Sequence, residues 1–201
     1  MNSLAPLLAA SPSAQSPAAL LAFARDSADT ATLAFAGVIG SAWRHHGVGV
    51  LPFLGVDAAA TRRLLERYFP GADAAFRVPW DALANAERGF SRDDEIEDLL
   101  QLLLDHCTRD DEETRWVAHA VATACMGDDH LWQDMGLPSR AVLSQLLDRY
   151  FTALSRRNTG DMKWKKFFYK QLCERAEIFI CKSPSCGTCI DYDRCFGSED
   201  S

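Results

Sequence analysis

The sequence predicts an all-α protein, a helical bundle with a C-terminal cysteine-rich loop. Apolar residues recur at helical spacing in several segments. No segment alternates apolar and polar residues for long enough to predict a strand. Four of the seven cysteines lie in one stretch, CKSPSCGTCIDYDRC, over residues 181–195. These observations favour helices packed around one core, followed by an irregular segment.

A single domain is expected because 201 residues, of which 48% are hydrophobic, can bury a sizeable core. Residues 1–15 are rich in Ala, Ser and Pro, and we interpret them as a disordered N-terminal segment. Residues 16–201 then form the single helical domain. Within it, residues 181–197 form the cysteine loop.

The first helix begins at Ser16-Pro17, since Ser is a preferred N-cap and Pro suits the first helical position. It extends to about Trp43, or else two helices are separated by a break near residues 26–30. Five further helices are predicted. One is capped by Asp57 and ended by Pro70-Gly71, and the next is opened by a Ser91–Asp94 capping box and carries Ile96 to Leu104. The other three extend over about 111–126, 139–156 and 161–179.

Charge and composition exclude several classes of function. The net charge of −7 argues against a nucleic-acid partner, which usually needs a basic face. No signal peptide and no apolar run of about 20 residues is present, so we expect a cytoplasmic protein without a membrane partner. No nucleophile–base pair or nucleotide-binding glycine loop is evident, so we expect a protein that is not an enzyme.

The cysteines are spaced C-x4-C-x2-C-x5-C, at Cys181, Cys186, Cys189 and Cys195. The intervening Pro184, Gly187 and Asp191 favour turns, which let several thiolates converge on one centre. Clustered cysteines in a reducing compartment bind metal or do redox work more often than they form disulfides. Thiolates suit tetrahedral zinc or an iron–sulfur cluster. Because zinc sites usually consist of two separated hooks, this compact spacing favours an iron–sulfur cluster in a metal-binding loop.

Two other functions stay open. An iron–sulfur electron-transfer protein is one, because C-x4-C-x2-C also begins the plant-type ferredoxin spacing. In that spacing, however, the fourth cysteine comes much later, and such a chain is largely β. A zinc-stabilised interaction module is the other. The metal content of the protein distinguishes these from a metal carrier.

Several segments resemble the NifQ family, the molybdenum-handling proteins of nitrogenase cofactor assembly. They are the cysteine motif with its closing CFG at 195–197, ACMGDDHLWQDMGL at 124–137 with the following SRAVLSQLL, and MKWKKFFYKQLCE at 162–174. The resemblance covers about residues 90–197. It implies an iron–sulfur protein that takes up molybdenum and delivers it for iron–molybdenum cofactor assembly, with NifH and NifEN as partners. It also implies that the four motif cysteines are the cluster ligands.

Other cysteines and histidines have less certain roles in the sequence. Cys173 precedes the motif by about two helical turns and is either a fifth thiolate or a core residue. Cys107 and Cys125 lie on apolar helical faces and are expected to pack in the core. His119 is expected to be a hydrogen-bonded interhelical residue. His130 lies between helices among aspartates, where it is either a metal ligand or a surface residue.

Charge is unevenly distributed along the chain. Residues 91–113 carry ten acidic and two basic residues, which we interpret as a solvated face. Lys163, Lys165 and Lys166 lead into the cysteine loop. Because molybdenum is available as an oxyanion, we expect these lysines to capture molybdate or to dock an acidic partner.

Overall fold

The computed structural model describes residues 16–85, 94–177, 186, 189 and 191–199. Every regular element of these ranges is helical, which confirms the predicted all-α class. None of the helices described is both long enough and apolar enough to span a bilayer. The helices are α1 (Pro17–Leu21), α2 (Thr30–His46), α3 (Ala58–Tyr68), α4 (Ala72–Phe76), α5 (Trp80–Asn85), α6 (Asp94–Leu104), α7 (Glu112–Cys125), α8 (Leu131–Asp134), α9 (Arg140–Tyr150), α10 (Thr152–Ser155), α11 (Trp164–Arg175) and α12 (Tyr192–Phe196).

Residues 17–46 form two helices, α1 and α2, so the two-helix alternative is right. The segment 1–15, interpreted as disordered, lies outside the described residues. Ser16 caps α1, and its hydroxyl accepts a hydrogen bond from the Ala19 N–H at 3.3 Å. A second cap follows, because the Asp29 carboxylate accepts from the Thr32 N–H at 3.0 Å and opens α2. A capping aspartate satisfies backbone donors that only a new helix start exposes. The chain therefore turns between Leu21 and Thr30.

The long helix α2 lies at the centre of the bundle, and α1, α7 and α9 pack against it. Ten of its residues are buried. Gly37 lets the chain at Met135 approach the backbone of α2, since a Cβ at Gly37 would lie 1.9 Å from the Met135 carbonyl oxygen. Gly136, the residue after this carbonyl, has a φ of +63°, which favours glycine. The chain that joins α8 to α9 therefore rests directly on the backbone of α2.

Two of the predicted helices match closely. Asp57 caps α3, with its carboxylate 2.8 Å from the Ala60 N–H, and α3 ends at Tyr68 before Pro70-Gly71. Asp111 caps α7 in the same way. The capping residue Ser91, predicted ahead of α6, lies outside the described residues.

The helix predicted over 139–156 is interrupted at Phe151, where φ is −135° and ψ is 48°. Thr108 accounts for the interruption. Its N–H donates to the Tyr150 carbonyl at 2.7 Å, and its hydroxyl accepts from the Thr152 N–H at 3.1 Å. These bonds take the place of hydrogen bonds that a continuous helix would make, so α9 and α10 are separate helices.

The last long helix, α11, begins at Trp164, three residues later than the predicted start at about residue 161. It carries Lys165 and Lys166, two of the lysines that precede the cysteine motif. Trp164, Phe167 and Phe168 of this helix are buried. The Trp164 indole donates to the Ser144 hydroxyl at 3.1 Å and so fastens α11 to α9. The predicted loop over 181–197 also contains a short helix, α12, which follows Cys189 and carries Cys195.

Several described acidic residues of the run 91–113 form ion pairs within the protein. Glu112 lies 2.7 Å from Arg63, and Asp105 lies 2.6 Å from Arg175. All four side chains keep more than a third of their surface exposed. The described acidic residues therefore form a largely solvated face, as interpreted from the sequence, with the exception of Glu113, whose side chain is 13% exposed.

Candidate metal centre and its cation-lined cavity

Three of the four motif cysteines are described, namely Cys186, Cys189 and Cys195, and none of them is in a disulfide. Cys181 lies outside the described residues. The Cys189 N–H donates to the Cys186 carbonyl at 3.2 Å, and the Tyr192 N–H donates to the Cys189 carbonyl at 3.2 Å. Each of these two bonds joins residues three positions apart, as in a turn, which agrees with the turn-favouring composition of the motif.

The chemistry of these donors fits a thiolate-bound metal centre. The thiol of Cys186 is exposed, and those of Cys189 and Cys195 are half-buried. Thiols that are partly exposed and outside disulfides can ionise and bind a soft metal. In the part of the chain that the structure describes, no three Cys, His, Asp or Glu side chains surround a common centre. The expected four-cysteine set also requires Cys181.

The C-terminal end of the motif is attached to the start of α11. The Lys163 N–H donates to the Cys195 carbonyl at 2.8 Å. The Lys163 ammonium donates to the Asp193 carbonyl at 3.2 Å. Lys163 therefore binds α12 through both its backbone and its side chain, and it places Cys195 beside the lysine-rich turn.

A cavity of about 230 Å³ lies next to this attachment. Its walls bring together residues from four separate parts of the sequence, 128–131, Leu143, 163–166 and 194–199. The charged or titratable residues among them are Asp128, Asp129, His130, Lys163, Lys165, Lys166, Arg194 and Glu199. The structure thus gathers the histidine and all three lysines that the sequence singled out. It adds two residues that sequence reasoning missed, Arg194 and Glu199.

The lysines of this cavity differ in their partners. The Lys165 ammonium lies 2.5 Å from the Asp134 carboxylate and donates to the Gly127 carbonyl at 2.7 Å. Its side chain is 17% exposed and that of Asp134 is 16% exposed. Gly127 leaves the space that this pair needs, because a Cβ there would lie 2.5 Å from the Asp134 carboxylate. Lys166, in contrast, is exposed. Lys165 is therefore engaged within the fold, whereas Lys166 is accessible to an incoming anion.

His130 precedes α8, and its backbone N–H donates to the Gln133 side chain at 3.1 Å. Its Nδ1 lies 3.8 Å from the Glu199 carboxylate. The same carboxylate lies 3.5 Å from Nε of Arg140. The Glu199 side chain is only 6% exposed. A C-terminal glutamate carries no sequence signal of burial, which is why neither it nor Arg140 was predicted.

Comparison with known proteins decides the family. A family model described as NifQ matches residues 34–197, which is most of the chain. The chain belongs to the NifQ family. Protein NifQ of Azotobacter vinelandii is 43% identical over 160 residues, which cover 76% of this chain and 82% of that protein. Protein NifQ of Rhodobacter capsulatus is 36% identical over 146 residues, which cover 73% and 77%.

The NifQ match begins at residue 34, so the similarity extends further toward the N-terminus than the segment 90–197 recognised from the sequence. It includes most of the central helix α2 and all the residues that line the cavity except Glu199. No solved structure significantly matches the chain.

The remaining cysteines and His119 occupy the helical domain of this NifQ-family protein. Cys125 is buried, and burial raises the pKa of its thiol to about 12, so it stays protonated. The core-packing prediction is confirmed for Cys125. Cys107 is half-buried, packs against the core, and lies in the chain between α6 and α7 instead of on a helical face. Cys173 is half-buried on α11, and its role stays a prediction. The His119 Nδ1–H donates to the Leu54 carbonyl at 2.8 Å, and burial lowers the pKa of His119. The expected hydrogen bond is present, although its partner lies in the loop before α3 and not on a helix.

A second, larger cavity of about 520 Å³ adjoins Cys186. Arg157 and Lys170 contribute cations to its wall, and Glu174 contributes an acid. Lys170 lies 3.7 Å from Glu174, so part of this charge is already compensated. Sequence reasoning did not identify this cavity, because its lining residues come from the turn after α10 and from the opposite side of α11.

Proposed function

We propose that this NifQ-family protein is an iron–sulfur molybdenum carrier that takes up molybdenum and delivers it for assembly of the nitrogenase iron–molybdenum cofactor. The observation that carries the proposal is the placement of Cys195, whose backbone is bound to Lys163 on the wall of a cation-lined cavity. Thiols for a cluster and cations for an oxyanion thus lie side by side. Family membership supports the same function.

The cluster would be held by the four motif cysteines, Cys181, Cys186, Cys189 and Cys195. Cys173 and His130 are candidates for further ligands. When bound, an iron–sulfur cluster supplies soft sulfide donors, which suit molybdenum. The part of the protein itself is to provide thiolates at fixed spacing and to hold the Cys195 end of the motif against α11.

Molybdate would first be captured by the cavity beside the motif. Lys166 and Arg194 are exposed there, and Lys163 adds a third positive charge. The four cations of the wall outnumber its three carboxylates, Asp128, Asp129 and Glu199. A net positive wall raises the local concentration of an anion and speeds its arrival. Lys165 contributes to this field, but it stays bound to Asp134. We propose that His130, on the wall of the same cavity, acts in molybdenum uptake.

Delivery requires partners, and we propose NifH and NifEN, with docking that depends on the charged surfaces. Such complexes are expected to be weak and sensitive to salt. We propose that the transfer takes place in the cytoplasm, without a nucleic-acid or membrane partner. We further propose that the protein turns over no organic substrate. Its role is to bind a metal and release it.

Metal analysis after anaerobic purification tests the proposal. The carrier function predicts iron, sulfide and molybdenum in one protein. Iron and sulfide without molybdenum would instead favour an electron-transfer protein, and zinc alone a structural module. Replacing Cys186 or Cys189 with Ser should strongly lower the iron content without changing the far-ultraviolet circular dichroism, because the helical core lies elsewhere. Cys107→Ser is the matched control and should retain iron.

A second experiment separates capture of molybdenum from binding of the cluster. Lys166→Gln combined with Arg194→Gln, and separately His130→Ala, should lower the ratio of molybdenum to iron while the iron content stays normal. Arg156→Gln removes an exposed cation that lies outside both cavities, and it should leave the ratio unchanged. Equal ratios in all variants would exclude this cavity as the capture site.

A further inference from the structure

The C-terminal segment 191–199 ends its described course in a buried carboxylate. Residues 191–194 are exposed, whereas the Glu199 side chain is 6% exposed. Burial of a carboxylate costs free energy unless a cation compensates it. The buried position of Glu199 therefore requires cationic groups close to its carboxylate.

Two cationic or titratable side chains surround the Glu199 carboxylate. Nε of Arg140 lies 3.5 Å away and Nδ1 of His130 lies 3.8 Å away. Arg140 is itself held in place, because it donates to the Asp161 carboxylate at 2.6 Å and to the Asp161 and Met162 carbonyls at 3.0 Å. Its Nε is buried and makes no hydrogen bond within the described part of the chain. Arg140 is thus a fixed cation that attracts the Glu199 carboxylate of the C-terminal segment.

The chain between the motif and Glu199 is shaped to reach this cation. Gly197 donates its N–H to the Asp193 carbonyl at 2.9 Å and ends α12. A Cβ at Gly197 would lie 2.5 Å from the same carbonyl oxygen, so this tight ending needs glycine. Cys195, which lies just before it, is bound through its carbonyl to the Lys163 N–H at 2.8 Å. Cys195 is therefore held between two attachments, Lys163 on one side and Glu199 on the other.

We propose that Glu199 is a positioning residue that fixes Cys195. The buried carboxylate holds the end of the motif against α8 and α9, so that Cys195 occupies its place before a metal arrives. The significance for metal binding rests on the proposed function, in which Cys195 is a cluster ligand. The attachment itself is a property of the metal-free chain, and it can be measured there.

The first test is peptide-resolved alkylation of the full-length metal-free protein with iodoacetamide. Glu199→Gln should raise the rate of Cys195 labelling roughly five- to thirtyfold, the effect of a modest loss of local stability. The rates of Cys186 and Cys125 should not change. Asp193→Asn removes an exposed carboxylate of the same segment and should leave all rates unchanged. An unchanged Cys195 rate in Glu199→Gln, or an equal rise at Cys125, would overturn the proposal.

The second test asks whether Glu199 acts through Cys195. Release of iron to a chelator is followed in the loaded protein with Glu199→Gln, with Cys195→Ser and with both. Glu199→Gln alone should accelerate release roughly five- to thirtyfold, and it should add nothing in the Cys195→Ser background. Additive effects would show that Glu199 does not act through Cys195. A wild-type protein that binds no iron would refute the proposed function. The alkylation rates would still test whether Glu199 holds Cys195 in the metal-free protein.

Discussion

Replacement of Lys165 by Gln should destabilise the helical domain. The substitution removes the ammonium that lies 2.5 Å from the Asp134 carboxylate and the hydrogen bond to the Gly127 carbonyl. Asp134 is then left as a largely buried carboxylate without its counter-ion. Lys166→Gln is the matched control, because the neighbouring lysine is exposed.

The magnitude follows from the burial of the pair. Removing one partner of a fully buried ion pair costs about 3–5 kcal/mol. The side chains of Lys165 and Asp134 are 17% and 16% exposed, so solvent recovers part of this cost. We expect a loss of about 2–3 kcal/mol in the free energy of unfolding, and less than about 0.5 kcal/mol for Lys166→Gln. For a domain of this size, the melting temperature should fall by roughly 4–12 °C.

Urea denaturation followed by circular dichroism measures these losses. Asp134→Asn should destabilise the wild-type protein more than it destabilises the Lys165→Gln variant, since the two residues act on each other. A loss below about 0.5 kcal/mol for Lys165→Gln would refute the assignment. So would an effect of Asp134→Asn that is the same in both backgrounds.

Two further predictions concern the core. Burial lowers the pKa of His119 below its ordinary value of 6.5, so the unfolded chain takes up the proton more readily and stability falls as the pH drops below about 6.5. His119→Gln should flatten this decline in urea unfolding measured from about pH 7.5 to 5, and an unchanged slope would contradict it. Gly37→Ala should cost more than about 2 kcal/mol, because its Cβ would overlap the Met135 carbonyl, whereas Gly49→Ala meets no atom within 4 Å and should cost little. Equal unfolding free energies of the two alanine variants would refute the packing of α2 against this carbonyl.

The helices that were predicted best from the sequence are those that begin with a capping residue close to the backbone groups it caps. Asp57 and Asp111 cap α3 and α7, and both caps act on residues three positions away. The interruption at Phe151 could not be predicted, because it depends on Thr108, more than forty positions earlier in the chain. Short α12 was also missed, since five residues show no helical periodicity.

The candidate site was predictable in composition but not in detail. The segments that resemble the NifQ family pointed to His130 and to the three lysines, and the structure places them on one cavity. The difference between Lys165 and Lys166 depends on Asp134, which folding brings to Lys165 from a separate segment. Burial of Glu199 likewise depends on Arg140. Pairings of this kind are set by tertiary structure and leave no local pattern in the sequence.

Delivery of molybdenum is the central claim, and cofactor assembly in vitro tests it most directly. The loaded protein is mixed with NifEN and NifH in the absence of free molybdate, so that it is the sole source of molybdenum. The carrier function predicts that the wild-type protein supports synthesis of the iron–molybdenum cofactor and that a variant with Ser at Cys181, Cys186, Cys189 and Cys195 does not. Cofactor synthesis with this variant at the wild-type level would contradict the claim.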